Sequence, residues 1–139
     1  MSKFCPDCED EREFRRESRT ETYSVRGMQV SMPVEVEVCT TCGGTLFDED
    51  RDQALTLECY SRYRQGNGLL FPEEIKAVRE KYALSQKSFA ALLGMSEATI
   101  NRYEHGSLQE ETHDNLMRMA SVPQTMKDLL EHHGDRLSE

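Results

Sequence analysis

The sequence predicts an α+β first half, a β-hairpin and a helix tied together at four cysteines, followed by an all-α second half. Three observations predict this. Two Cys-x-x-Cys pairs, Cys5/Cys8 and Cys39/Cys42, bracket 30 residues that contain a period-two apolar run. Leu84 to Gly106 reads as two short helices joined at Gly94. Between these regions, Gln65-Gly66-Asn67-Gly68 breaks the pattern and reads as a short flexible joint. The boundary goes there, giving domains 1–67 and 68–139.

Bulk properties narrow the function classes. A chain of 139 residues suits one domain or two small ones, the smaller near the limit of what an apolar core alone can hold. No apolar run approaches the roughly 20 residues that span a bilayer. Met1 to Glu11 has no apolar signal core. The expected location is cytoplasmic, with no membrane partner. Net charge is −9. Nine Lys/Arg against 14 Asp/Glu up to Asn67 give −5, and eight against 12 beyond it give −4. Neither half attracts phosphate nonspecifically, so any DNA binding must rest on a local patch. Arg79, Lys81, Lys87, Arg102 and His105 are the candidates for it.

The first element is the cysteine set. Each Cys-x-x-Cys offers two thiolates to one ion, because two intervening residues let the backbone fold round it as a knuckle. Two knuckles make a closed tetrahedral site, and one structural Zn2+ is the expected occupant of Cys5, Cys8, Cys39 and Cys42. A redox pair fits less well, since no βαβ pattern surrounds Cys5 and Cys8. Structural disulfides need an oxidising compartment that nothing here marks. A catalytic zinc needs an open position that four thiolates close. The ion would hold together a segment too small to be held by its own core. Gly43 suits a left-handed turn after the second knuckle, whereas Glu9 stands at the matching place after the first, which should be looser. Cys59 stands apart and reads as a small buried apolar residue.

Between the pairs, Val30, Met32, Val34, Val36 and Val38 alternate with Gln29, Ser31, Pro33, Glu35 and Glu37, so this run should be a strand with one buried face. Thr20 to Arg26 should pair with it, turning near Gly27-Met28. Pro33 places that strand at an edge or a bulge. Acids at 48, 49, 50 and 52, with Arg62 and Arg64 at the far end, frame a helix reaching about Arg64 in agreement with the helix dipole. Ala54, Leu55, Leu57, Cys59, Tyr60 and Tyr63 offer its apolar surface. Pro72-Glu73-Glu74 opens the next helix, although Phe71 cannot cap it.

The central pair of helices comes next. Ser85 is an N-cap candidate for the first, which carries Phe89, Ala90, Leu92 and Leu93 and stops at Gly94. Ser96 can cap the second, which runs to about His105 and stops at Gly106. Ile100 and Tyr103 share one face of it, and Glu97, Asn101 and His105 another. An apolar bracing helix, a glycine turn and a mostly polar helix are what a DNA-reading helix-turn-helix requires. An ordinary helical hairpin is the rival. These residues resemble the Xre-type, lambda-repressor-like motif, which implies a five-helix domain. Beyond it, Ser107-Leu108-Gln109-Glu110 reads as a capping box. Leu116, Met117, Met119 and Ala120 read as a core-facing stripe, and Pro123 opens a last helix. Met117, Met119 and Met126 are core filler or a dimer surface.

The whole layout resembles the YgiT-type zinc-finger/helix-turn-helix family of MqsA-like antitoxins. Cys5-x-x-Cys8, Cys39-x-x-Cys42-Gly43, Leu46-Phe47-Asp48, Pro72-Glu73-Glu74-Ile75 and the helix-turn-helix carry the resemblance. It implies a structural zinc, an N-terminal domain that contacts a cognate toxin, and a C-terminal domain that dimerises and binds double-stranded operator DNA. In that family an Asn and an Arg four residues apart read bases. Arg102 matches the Arg, but Ala98 stands at the Asn position, so the operator should differ. Asn101 and Arg102 are the candidates for base edges. Lys87 and Thr99 are candidates for phosphate, and Gln86 for phosphate or the edge of the site. Ser96, Glu97 and Ala98 complete the expected DNA face. The expected function is thus a dimeric, self-repressing antitoxin rather than an enzyme. The runner-up is a zinc-containing regulator of a mobile-element or stress operon with no toxin partner. A thiol-redox enzyme is the third reading, and no nucleophile–base pair or phosphate loop argues for other catalysis.

Overall fold

The computed structural model describes residues 2–137. Residues up to Cys59 and residues from Tyr60 onward form two compact units. The first opens with β1 (Ser2–Cys5), β2 (Asp10–Val25) and β3 (Met28–Cys39). They form an antiparallel sheet in the order β1-β2-β3. The expected hairpin is there, extended by β1.

Pairing of β2 with β3 runs unbroken from Val25 opposite Met28 to Phe14 opposite Cys39. Arg26 and Gly27 make the turn with φ of 49° and 84°. Two left-handed residues give the primed turn whose twist matches the flanking strands. The turn is therefore one residue earlier than glycine alone suggests. Pro33 sits opposite Thr20 with no bulge, tolerated because β3 is an edge strand.

β2 is longer than its hydrophobicity indicates. Eight of the ten residues from Asp10 to Arg19 are charged, which lowers β propensity. Partners compensate: β1 pairs with Asp10–Glu13, and β3 with Phe14–Val25. Val30, Met32, Val34, Val36 and Val38 are all buried. Opposite them stand Tyr23, Glu21, Arg19, Glu17 and Arg15. Glu17 takes ion pairs from Arg15 (3.7 Å) and Arg19 (3.5 Å). Their aliphatic stems can flank the valines while the charges stay wet.

Helix α1 spans Glu49–Asn67. Asp48 Oδ1 accepts from Arg51 N–H at 3.1 Å, and Asp48 O from Asp52 N–H at 3.0 Å. The acids in the first turn sit at the positive end of the helix dipole. Ala54 and Leu57 are exposed, whereas Cys59 is buried. The helix does not end near Arg64. It continues through Gln65, Gly66 and Asn67, which the sequence marks as a flexible joint. The extension is held: Asn67 Nδ2 donates to Tyr63 O (2.9 Å) and Leu69 N–H to Arg64 O (3.0 Å). Gly68, at φ 67°, closes it.

The second unit packs α2 (Pro72–Lys81), α3 (Gln86–Leu93), α4 (Glu97–Glu104), α5 (Glu111–Ala120) and α6 (Pro123–His133). A short 3₁₀ turn, Gly134–Arg136, follows. Ile75, Phe89, Leu92, Ile100, Met117 and Met126 form the centre of its core. Glu74 supplies what Phe71 cannot: its Oε1 accepts from Phe71 N–H at 2.9 Å.

Two expectations fail here. Ser107–Glu110 is no capping box, because α5 begins at Glu111 with no side-chain cap. Gln109 is fully buried instead. Half of the apolar stripe on α5 faces outward: Met117 and Ala120 are buried, but Leu116 and Met119 are 37% and 55% exposed. Among the described residues, no helix is long and apolar enough to cross a membrane.

Candidate metal centre and nucleic-acid interface

The sheet brings the two knuckles together. Cys5 ends β1 and Cys39 ends β3, the strands that flank β2. All four sulfurs lie within 4.8 Å of one another. Cys5 Sγ and Cys42 Sγ are 3.6 Å apart, and Cys8 Sγ and Cys39 Sγ 4.0 Å. A disulfide requires about 2.05 Å. Four sulfurs at about 2.3 Å from a central ion would sit about 3.8 Å apart, so the set fits a tetrahedral centre of four thiolates. Cys5 and Cys39 are buried, Cys8 is half-buried and Cys42 exposed. Cys59 is not in the cluster.

The electrostatics suit a cation. A backbone hydrogen bond from Cys42 lowers the Cys39 thiol to about 6, against desolvation. Desolvation, helped by the thiol of Cys42, pushes Cys8 up to about 12. Thiolates this close repel one another, and a divalent ion at their centre removes the conflict. Gly44 N–H donates to Cys42 Sγ at 3.4 Å. A Cβ at Gly44 would collide with Asp7 Oδ2 and press on Cys42 Sγ. The sequence alone points to Gly43 and gives no sign of this close approach, which a turn of the flexible Asp7 carboxylate would relieve.

The knuckles match each other. Glu9 N–H returns to Cys5 O at 2.8 Å, and Gly43 N–H to Cys39 O at 2.9 Å. Glu9 has φ 57° and Gly43 φ 75°. The first knuckle is thus not looser; it places a glutamate where a left-handed backbone costs an L-residue about 1–2 kcal/mol. Part of that cost is offset because glycine loses more entropy on folding. Glu9→Gly should therefore stabilise the unit by about 0.5–1 kcal/mol. Gly43→Ala should destabilise it by a comparable amount. Thermal melting of the metal-loaded chain measures both, and a loss of stability in Glu9→Gly would refute the strain argument.

The helix-turn-helix forms as the spacing predicts. Ser85 Oγ accepts from Ser88 N–H at 3.0 Å, and Ser96 Oγ from Thr99 N–H at 3.1 Å. Gly94 takes the left-handed cap at φ 77°. On α4, Ile100 and Tyr103 are buried, while Glu97, Ala98, Asn101, Arg102 and His105 are exposed and Thr99 half-buried. Tyr103 Oη lies 2.6 Å from His113 Nδ1. Ser96 Oγ, Thr99 Oγ1 and an Arg102 N–H form a short chain, with links of 2.8 and 3.3 Å. Lys87 is exposed on α3.

Some of the expected cations are already engaged. Arg79 grips Glu104 with two N–H groups, both 2.9 Å, and donates a third to Leu84 O. Lys81 donates to Ser121 O at 3.0 Å. Of the expected patch, Lys81, Lys87, Arg102 and His105 are exposed, with His105 Nδ1 2.7 Å from Asn101 O. Gln86 Nε2 donates to Glu104 Oε1 at 3.3 Å, so its amide is held against the end of α4.

Sequence reasoning misses a buried polar network behind α4. Arg64, Gln109 and Asp114 are each no more than 2% exposed. Arg64 Nε donates to Gln109 Oε1 at 3.1 Å. Gln109 Nε2 donates to Leu70 O (2.7 Å) and Asp114 Oδ1 (3.1 Å). Asp114 also accepts from Leu70 N–H and Arg118 Nε, both 2.8 Å. Arg118 donates in turn to Gly68 O. Every member serves several partners, as a buried polar group must.

No curated protein matches the chain. A family model described as the antitoxin component of bacterial toxin-antitoxin system, MqsA, matches residues 3–139. That span takes in both the four-cysteine cluster and the helix-turn-helix. The chain belongs to the MqsA antitoxin family, and a toxin is the partner that this membership implies.

Proposed function

We propose that this antitoxin is also a sequence-specific DNA-binding regulator. It holds one structural Zn2+ at Cys5, Cys8, Cys39 and Cys42, and it neutralises its toxin through domain 1–67. As a cytoplasmic homodimer it represses its own operon by reading double-stranded operator DNA through domain 68–139. Its work is binding, not catalysis.

One observation carries the DNA reading. Helix α4 buries Ile100 and Tyr103 and turns Glu97, Ala98, Asn101 and Arg102 to solvent. A recognition helix needs that division, one face in the core and one in the major groove. Arg102 suits the paired acceptors of guanine, and Asn101 suits adenine. Glu97 can accept from a cytosine amino group. Lys87 and Thr99 would take phosphate, with Gln86 at the edge of the site, and Ser96 caps the helix N-terminus. Exposed Leu116, Met119 and Val122 offer apolar surface that a second copy would cover.

The test is a duplex selected from a random library by the full metal-loaded chain. Arg102→Ala should weaken binding to that duplex by about 1–3 kcal/mol and relax selection at one base pair. Equal loss on the selected and on a scrambled duplex would rule out base reading by Arg102. Failure of the wild-type chain to select any sequence would remove the DNA reading altogether.

A further inference from the structure

Helix α4 has only eight residues. A helix so short is marginal by itself, so its placement depends on what holds its ends. Ser96 holds the first end. At the other, Ser107 N–H returns to Arg102 O at 3.0 Å and Gly106 N–H to Tyr103 O at 3.2 Å, with Gly106 at φ 110°. This closing turn is bonded directly to the carbonyl of the residue proposed to read a base. Its own carbonyls accept from a buried side chain. Arg64 Nη2 donates to Gly106 O at 3.2 Å and to Ser107 O at 2.7 Å.

A buried guanidinium carries a high desolvation cost and is retained where its forked geometry satisfies several acceptors at once. Here the fork serves two successive carbonyls and the Gln109 amide. Gln109 and Asp114 then fix Leu70, so the brace extends to the segment leading into α2. The sequence reads Arg64 as a surface cation complementing a helix dipole. At 1% exposure it has no access to DNA.

We propose that Arg64 is a positioning residue for DNA recognition. From the last turn of α1 it clamps the turn that ends the reading helix, and so fixes the angle at which Asn101 and Arg102 meet base edges. The proposal rests on the DNA-reading role of α4. It assigns Arg64 a share in sequence discrimination although it touches no nucleotide. It also places the start of the DNA-reading module in the last turns of α1, ahead of Gly68.

The test compares the wild-type chain with Arg64→Met and Arg64→Lys, all full-length and metal-loaded. Methionine keeps much of the stem and removes every donor. Lysine keeps the charge but cannot span two carbonyls and Gln109 together. Each is titrated with the duplex selected by the wild-type chain and with a scrambled duplex, well below its melting temperature. Arg64→Met should bind the selected duplex about tenfold more weakly, with less than about a twofold change on the scrambled one. Arg64→Lys should fall between. If Arg64→Met does not fold, the discrimination ratio of Arg64→Lys decides alone. A lower melting temperature with an unchanged ratio in the folded protein would make Arg64 merely structural and overturn the proposal. A wild-type chain that selects no duplex would overturn the reading beneath it as well.

Discussion

Replacing Cys39 with serine should abolish tight metal binding and unfold the sheet, while the helical unit keeps its structure. Cys39 is fully buried, and the N–H groups of its own knuckle favour its thiolate, so it is the ligand that serine replaces least well. The sheet has little else to hold it. Its apolar face is one stripe on β3, and the facing positions of β2 include Glu17, Arg19 and Glu21. A structural zinc contributes on the order of 10–16 kcal/mol to such a fold at neutral pH. Elemental analysis should find one zinc in the wild-type chain and far less in the variant. Circular dichroism in excess chelator should show loss of strand signal with helical signal retained. A sheet that persists in chelator would show that the valine stripe is sufficient. Binding should also fail in acid, because each ligand must shed a proton to hold the ion.

How far the sequence reveals this molecule depends on which interactions are local. Ser85, Gly94 and Ser96 act on backbone three or four residues away, so the helix-turn-helix is legible from spacing alone. The Cys-x-x-Cys pairs are legible because a knuckle is a local turn. Alternation of Val30 to Val38 with polar residues likewise exposes β3. By contrast, Asp10–Arg19 is a strand only because β1 and β3 pair with it, and its charges conceal that. Gln109 looks like an idle interior position of the Ser107–Glu110 capping box, yet its side chain is bonded to Arg64, Leu70 and Asp114. Gln65–Asn67 looks like a joint, and anchoring on both sides keeps it helical. Arg79 and Glu104 are 25 positions apart, and no periodicity links them. The four cysteines therefore converge as read, while Arg79, read as part of a basic patch, is held by Glu104.

That pair supports the other large effect. Glu104→Ala should destabilise the helical unit by about 3–5 kcal/mol, the range for breaking a buried ion pair. The side chains of Arg79 and Glu104 are 13% and 3% exposed, and the contact is a two-point fork. Removing the carboxylate leaves Arg79 desolvated and leaves Gln86 Nε2 without its acceptor. Exchanging both charged residues for apolar ones of similar volume should restore much of the loss, since the pair also carries its own desolvation cost. A double-mutant cycle isolates the coupling. The pH dependence has a definite sign. Desolvation raises the Glu104 carboxyl, but hydrogen bonds from Arg79 and Gln86 outweigh it and hold it below its ordinary range. The contribution is therefore complete above the unfolded value of about 4.3 and declines as pH falls through the lower folded value. Glu104→Gln should flatten that acid limb of the melting curve. A loss below about 1 kcal/mol in Glu104→Ala would place the pair with ordinary surface bridges. Because Glu104 is the last residue of α4, the same variant should loosen that helix at the end that Arg64 clamps. Amide exchange at Arg102 and Tyr103 should then accelerate before the rest of the unit opens.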